Sequence, residues 1–541
     1  MSSAALAAGT VSPVRPARLP INPWIVAIAV VVPTFMEVLD TTIANVALRQ
    51  IAGGLSAAVT DSEWVITSYL AANAVILPIS GWISSQLGRR NYFLLSIAVF
   101  TISSMLCGLS NSLGQLICFR VLQGLAGGGL QPSSQGVLLD AFPPEKQGSA
   151  MTLFGVAALL APILGPTLGG YLTDNYPWRW IFYINLPVGL IAFTASYFLL
   201  EDPAYMKKAR AELKKLPFHF DSIGLGLLVI VMVCWEVVLS KGQEWDWFGD
   251  PFHRVQTLAT LFVLGLGGLV FWETRQERPV VNFRPLKERN FAMCCIIIFC
   301  AYGVLYGAST TLPGMLQTLF GYDATHAGLV MSPAGFFSVT MMVIIGILIG
   351  RQVDARKLIG AGLFTVAVAN YWMSQMNLDI SPWQVVWPRA LMIVGLSMVF
   401  APLNVAAYLY IPQKLRPAAI GLLALLRNEG GSVGTSVAQT FQERREQFHL
   451  LRLNEFLDPL NPAMTTFLQQ TRDTFLQQTG DAVGSMQMAI QSLDDLRTQQ
   501  ASSLAYFDCF WLFSAVGACL VFLVLFMKRS VAEKGAHVAA D

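Results

Sequence analysis

The sequence predicts an all-α integral membrane protein with fourteen spanning helices. Three observations carry that expectation. Of 541 residues, 54% are hydrophobic and only 13% are charged, where soluble domains carry about 25%. The apolar residues fall into long runs of the length a bilayer needs. Charge is segregated between those runs and not spread along them.

The first run, 24–48, is 25 residues long. At about 1.5 Å per residue a helix of this length crosses a hydrocarbon core of about 30 Å with some tilt. It carries two acids, Glu37 and Asp40. Three residues apart, they share a helix face with Thr41 and Ala44. Pro33, one turn upstream, favours a kink. An ionised group deep in a bilayer costs about 3 kcal/mol or more, so a chain keeps one where it faces a cavity or a partner. The alternative for Asp40 is a purely structural tie between helices.

Further spans are expected at about 63–86, 91–110, 113–141, 148–173, 179–200, 221–240, 254–273, 290–319, 324–350, 356–376, 384–411, 417–441 and 503–527. An even count places both termini on one side. With the N-terminus inside, 23 Lys and Arg fall in inside segments and nine outside, so the positive-inside rule puts both termini in the cytoplasm. Three basic residues remain within spans, Arg120, Arg389 and Arg427, facing the acids Glu37, Asp40, Glu236 and Glu429. No histidine lies deep in a span, so an intramembrane proton relay must run on carboxylates.

The connecting segments are less informative. Residues 1–23 form a cytoplasmic tail with no apolar run that would serve as a signal peptide. The cluster Lys207-Lys208-Ala-Arg210-Ala-Glu-Leu-Lys214-Lys215 reads either as an amphipathic helix on anionic lipid or as a charge cluster that fixes topology. Glu244-Trp-Asp-Trp247 reads as an interfacial anchor. The segment 442–501 is the one large soluble piece. Its repeated Thr-Phe-Leu-Gln-Gln-Thr, and Met486, Ile490 and Leu493 at helical spacing, predict a helical hairpin outside the membrane. It reads as a docking surface or as a lid or connector. The eight cysteines lie in apolar runs without metal or disulfide spacing. No metal, cofactor or nucleic acid is expected. No Gly-Lys dipeptide exists for a phosphate loop, and no nucleophile–base set suggests an enzyme.

Glycine-rich stretches organise the first half: Gly81-Trp-Ile-Ser-Ser-Gln-Leu-Gly88-Arg89-Arg90 between spans 2 and 3, Arg120-Val-Leu-Gln123-Gly124 in span 4, and Pro162-Ile-Leu-Gly165-Pro166-Thr-Leu-Gly169-Gly170 in span 5. Small residues let helices approach closely, and proline with glycine makes a span pliable. A degenerate second copy of the first stretch, Gly346-Ile-Leu-Ile-Gly350-Arg351, precedes span 11 and suggests two related halves.

Together with Leu39-Asp40-Thr41-Thr42-Ile43-Ala44-Asn45-Val46-Ala47-Leu48, with Asn175-Tyr-Pro-Trp178-Arg-Trp180-Ile-Phe-Tyr-Ile-Asn185-Leu-Pro187, and with Arg427 and Gly430-Gly431-Ser-Val-Gly434-Thr-Ser436, these stretches resemble the major facilitator superfamily. The likeness is to its fourteen-span drug:proton antiporters of the EmrB/QacA type, and it covers nearly the whole chain. It implies a six-helix bundle over 24–200, a linker with two extra spans over 201–289, and a second six-helix bundle over 290–527 that includes the periplasmic segment 442–501. A cytoplasmic tail over 528–541 completes the chain. The stretch at 161–170 is similar to an antiporter motif generally missing from importers. The 81–90 stretch departs from the family pattern in having Ser85 where an acid is usual.

The resemblance implies a proton-driven multidrug exporter in the bacterial inner membrane, exchanging protons for small amphipathic compounds. Asp40, Glu37 and Arg120 are the expected proton-coupling residues. Glu429, Arg427, Asn45, Gln123 and Tyr306 are cavity candidates, with Phe35, Met36, Tyr69 and Tyr302 as apolar wall. The glycines and prolines above, with Arg89 and Arg90, are the conformational motifs. A periplasmic adaptor of the EmrA/HlyD type and a TolC-type outer-membrane channel are the implied partners. The alternative is a proton-coupled importer or a transporter-like sensor.

Overall fold

A computed structural model describes residues 22–213, 221–276, 279–379, 381–412, 415–458 and 460–530. Residues 1–21 and 531–541 of the terminal tails, with Lys214, Lys215 and His219, lie outside the described residues. Every expected span is helical. Spans 1 to 3 are Pro23–Val46, Trp64–Leu87 and Arg89–Leu109. Span 4 is two pieces, Leu113–Gly127 and Leu130–Ala141, parted at Gly128-Gly129. Span 5 is Pro144–Asn175. Span 6 is Trp180–Tyr183 followed by Asn185–Leu199. Spans 7 and 8 are Ser222–Lys241 and Arg254–Arg275. Span 9 is Arg289–Phe320, span 10 Ala324–Met331 with Pro333–Gly350, and span 11 Ala355–Ser374. Spans 12 to 14 are Pro382–Tyr408, Arg416–Asn454 and Ala482–Val524.

Eleven of these, among the described residues, are long and apolar enough to cross a membrane. Spans 4, 11 and 13 fall short by length or composition. Span 4 is interrupted and carries Arg120. Span 11 opens on Arg356 and Lys357, and span 13 carries Arg427, Asn428 and Glu429 among glycines.

Packing repeats with an offset of eight spans. Span 1 packs on spans 5 and 6, as span 9 packs on spans 13 and 14. Span 4 packs on spans 2 and 3, as span 12 packs on spans 10 and 11, and the pairs 3–6 and 11–14 also correspond. The halves meet where span 5 runs against span 10 and span 13 against span 2. Spans 7 and 8 pair with each other, and span 7 alone reaches the bundle, against spans 2 and 13.

Glycine sets the closest crossings. A methyl on Gly165 would strike Thr42, and one on Gly169 would press on Ile43, so span 5 lies directly on span 1. The related crossing uses Gly430 against Phe299 and Gly434 against Gly303, which brings span 13 onto span 9 backbone to backbone. Gly124 does the same against the Tyr69 carbonyl of span 2. Pro162 and Pro166 sit inside an unbroken span 5, and Gly170 beside them is buried.

Between spans 2 and 3 the chain turns at Gly88, whose φ of +85° only glycine adopts without strain. Arg89 then donates to the Gly136 carbonyl and pairs with Asp140 on span 4. The Arg90 guanidinium donates to the Tyr197 carbonyl and its N–H to Asp202, in the segment after span 6. Ser85, at the position where an acid is usual, donates to the Trp82 carbonyl. Gly81 packs against Pro417 at the start of span 13.

Spans 13 and 14, at 39 and 43 residues, are about 60 Å long at about 1.5 Å per residue, twice the hydrocarbon thickness. They therefore run on as paired helices, with Pro462–Thr479 packed against span 14. Arg445 and His449 hold Asp508 at 2.6 and 2.7 Å in this extension.

Candidate functional site

The acids of span 1 enter two adjacent polar networks. Asp40 lies wholly inside the first half. Its Oδ2 meets the Arg120 guanidinium at 2.5 Å with both side chains buried. Its Oδ1 accepts from Gln123 at 3.0 Å and from Asn185 at 2.6 Å. The break between the two pieces of span 6 places Asn185, which also donates to Ser104. Arg120 is held further by the Val65 carbonyl at 3.1 Å, the Gln123 carbonyl at 2.9 Å and the Tyr69 ring at 4.2 Å. Each oxygen of Asp40 thus has a donor.

Glu37, one turn earlier, faces the other half. Its Oε1 accepts from Asn73 at 3.0 Å and from the Tyr69 hydroxyl at 3.4 Å, and its Oε2 accepts from Gln131 at 2.6 Å. The Gln131 carbonyl accepts in turn from Arg427 on span 13. Glu37 is thereby joined to the second half through one amide. The span 4 break at Gly128-Gly129 precedes Gln131 by two residues and sets its direction.

The Arg427 guanidinium lies 5.5 Å from the Phe154 ring, 5.8 Å from Tyr302 and 6.0 Å from Phe400. Beside it is a small cavity lined by Val38, Gln131, Ala158, Tyr302, Tyr306, Arg427 and Asn428. Both halves contribute to the wall, and Tyr302 and Tyr306 stack at 6.1 Å. The halves touch at each end of the span 5–10 contact. Gly148 packs on Ile349 at one end, while Thr167 donates to Gly328 and Thr325 donates to Asp174 at the other. Gln135 and Tyr408 link spans 4 and 12 between these ends.

Of the cavity candidates named from the sequence, Arg427 and Tyr306 line this space. Gln123 belongs to the Asp40 network. Glu429 points to span 7, and Asn45 is exposed at the far end of span 1. Met36 and Tyr69 are buried in helix packing, and Phe35 is partly buried. Sequence reasoning singled out neither Gln131 nor Asn73, and it quoted Asn185 only within a longer stretch. For Gln131 and Asn185 the available signal was an amide shortly after a helix break; Asn73, within the unbroken span 2, offered none.

Two bundles related by a repeat and meeting at a shared polar cavity have the architecture of a membrane transporter. The chain belongs to the major facilitator superfamily: the profile of that family, Major Facilitator Superfamily, matches residues 30–435. Within it the chain is similar to EmrB-type transporters. It is 35% identical over 507 residues to the multidrug export protein EmrB of Escherichia coli strain K12, covering 93% of this chain and 95% of that protein. It is 36% identical over 430 residues to the fatty acid resistance protein FarB of Neisseria gonorrhoeae, covering 80% and 83%. The proton:xylose symporter XylE has the same fold, with a TM-score of 0.58 at 11% identity over 95% of this chain and 97% of that chain.

Proposed function

We propose that this chain is a proton-driven efflux antiporter for amphipathic or hydrophobic compounds. We place it in the bacterial inner membrane with both termini cytoplasmic, as the membrane component of a tripartite export system. The likeness to proteins named for multidrug export and fatty acid resistance supports the direction and the substrate class. The observation that carries the mechanism is the Glu37–Gln131–Arg427 chain. It crosses from one half to the other beside the cavity. A proton arriving on Glu37 converts an acceptor-only carboxylate into a donor, weakens its hold on Gln131 and frees Arg427. Asp40 and Arg120 supply the second proton-coupling element. A carboxylate that faces Arg120 in one state and not in the other binds and releases a proton as the bundle moves. A cationic or amphipathic compound competes for the space that Arg427 and the tyrosines define.

The extension formed by spans 13 and 14 with Pro462–Thr479 is, in this reading, periplasmic and meets an adaptor of the EmrA/HlyD type, which leads to a TolC-type channel. The membrane lipid is the remaining partner.

The test uses inverted vesicles carrying an imposed pH gradient and a panel of lipophilic cations and weak acids. Compound-induced proton release is followed in wild type, Asp40→Asn and Glu37→Gln. Release in wild type that is lost in either variant is the expected result. Equal release in all three overturns the span 1 assignment. No release with any compound, from protein shown to be folded, overturns the antiporter reading in favour of an importer or sensor.

A further inference from the structure

Span 7 is not part of either six-helix bundle, yet it is fastened to span 13 by a continuous polar seam. Along span 13 the seam reads Glu429, Ser432, Ser436, Thr440 and Glu443, a helical stripe of spacing three and four. Ser432 donates to Glu236 at 3.1 Å and Ser436 to the Leu239 carbonyl at 2.7 Å. Further along, the Trp247 indole donates to Thr440 at 3.2 Å and Gln243 donates to Glu443 at 2.6 Å. Four of the five rungs are ordinary donor–acceptor pairs.

The first rung is different. Glu429 is 5% exposed and Glu236 is 1% exposed, and the two carboxyls face each other. Neither oxygen of Glu429 receives a well-formed hydrogen bond, and the Trp235 indole lies beside it. An ionised carboxylate can only accept. Two acceptors pressed together inside a membrane protein, with only the Trp235 indole N–H near one of them, are satisfied by a hydrogen between them. Like charges at this separation cannot both persist.

Among the described residues no cation offsets the pair. Arg427, two residues before Glu429, is turned to Gln131 and the aromatic wall. Lys241, five residues after Glu236, is occupied by the Thr60 carbonyl, Glu63 and Glu244. Of the remaining neighbours, span 2 offers Tyr69, which donates to Glu37. Span 8 offers Glu273, packed beside Gly224 near the opposite end of span 7, and span 9 offers Tyr302 and Tyr306. Span 14 offers Asp508, held by Arg445 and His449. Among the described residues, Glu236 and Glu429 have only each other as charged partners.

We propose that Glu236 and Glu429 form a second proton-binding site, in which one shared proton fastens span 7 to span 13. The proton belongs to the pair and not to either residue. With it, the seam is closed along its whole length. Without it, two carboxylates repel at the inner end of the seam and span 13 is released from span 7. Span 13 is also the helix that carries Arg427 and the glycine crossing onto span 9. The site therefore couples protonation at the inserted spans to movement of the second bundle. This goes beyond the span 1 proton coupling and does not depend on it.

The test needs no transported compound. Full-length protein in lipid nanodiscs is examined by infrared difference spectroscopy from about pH 5.5 to about pH 9, reading the protonated-carboxyl C=O band. Wild type, Glu236→Gln, Glu429→Gln and Asp40→Asn are compared. Glutamine keeps the shape and supplies a donor to the remaining carboxylate, and each single variant removes the same proton from a different side, so one folded variant is sufficient. The expected result is a wild-type band that bleaches as pH rises, is absent from the difference spectrum of either Glu variant, and is retained in Asp40→Asn. A wild-type difference spectrum that neither Glu substitution alters overturns the site. A band from the pair that stays constant across the whole range makes it a fixed structural contact, and that also overturns the proposal.

Discussion

The Asp40–Arg120 pair supports a quantitative prediction. Asp40→Asn removes the charge but leaves one oxygen to accept from Gln123 and Asn185. The new amide nitrogen then meets the Arg120 guanidinium donor to donor. Arg120 remains buried with the Val65 and Gln123 carbonyls and the Tyr69 face. Breaking a buried pair by removing one partner costs about 3–5 kcal/mol. The surviving contacts place Asp40→Asn at the low end, about 3 kcal/mol, which is about 100-fold in the folded-to-unfolded ratio. Arg120→Gln leaves the carboxylate with the Asn185 donor at 2.6 Å and the Gln123 donor at 3.0 Å, so its cost is similar. If the charges act on each other, the double variant loses about as much as one single variant, giving a coupling of about 3 kcal/mol. The assay is reversible unfolding by SDS in mixed micelles, followed by circular dichroism for all four proteins. Strict additivity, a coupling below about 0.5 kcal/mol, would refute the reasoning, as would single-variant losses under about 1 kcal/mol.

Two further predictions rest on local geometry. Gly434→Ala places a methyl on the Gly303 backbone and should cost about 1–3 kcal/mol by overpacking, whereas Gly226→Ala on span 7, with open space around it, should not lower stability in the same unfolding assay. Asp354, in the loop before span 11, would be raised by burial. Hydrogen bonds from the Arg356 side chain and from the backbone of Arg356 and Ser530 outweigh that and hold its carboxyl below the usual range. A depressed folded value means that its contribution is present at neutral pH and is lost as pH falls through that value. Asp354→Asn should therefore cost about 1 kcal/mol at neutral pH as a weakened helix cap and nothing once wild-type Asp354 is protonated, which unfolding midpoints measured down the acid range would check.

How much of this was legible in the sequence depends on range. The spans were legible because bilayer thickness imposes a run length on each one. Spans 4, 11 and 13 are the weakest in apolar length, and two of them carry the cavity-side chemistry. Periodicity placed Glu37 and Asp40 on one face correctly. It could not show that one helical turn separates a network closed within a half from one that crosses between halves. That difference is set by Gln131 and Asn185, which lie about 90 and 145 residues from their acids. Both amides follow helix breaks whose direction only tertiary packing fixes. The segment 442–501 shows the reverse case. Its helical spacing was readable, but the running-on of spans 13 and 14 into it was not; neither proline nor glycine lies between Gly434 and Asn454, or between Gly484 and Gly517, to end those spans at the membrane surface.

The repeat itself explains where function concentrates. Arg120 stands seven residues into span 4, and Arg389 stands seven residues into span 12, its counterpart. Arg120 meets Asp40 on span 1. Arg389 is equally buried, but on span 9 it meets only the Ser309 hydroxyl at 2.8 Å. One architecture thus holds a closed ion pair in the first half and an uncompensated cation in the second. The second half has its acid elsewhere, at Glu429, turned away from Arg389 and toward span 7. Buried acids consequently lie on span 1 and on the span 7–13 seam, with Gln131 and Arg427 between them. A rocking motion of the halves must part Gln131 from Arg427, because that contact crosses the interface and lies within the cavity wall. Asp40 and Arg120 lie within one half, so separating the halves does not by itself part them; that step needs a rearrangement inside the first bundle. Variants at Gln131 should therefore alter exchange between states while leaving the Asp40–Arg120 coupling measured by SDS unfolding unchanged, and a Gln131→Ala protein in which that coupling collapses would show that the two networks are one.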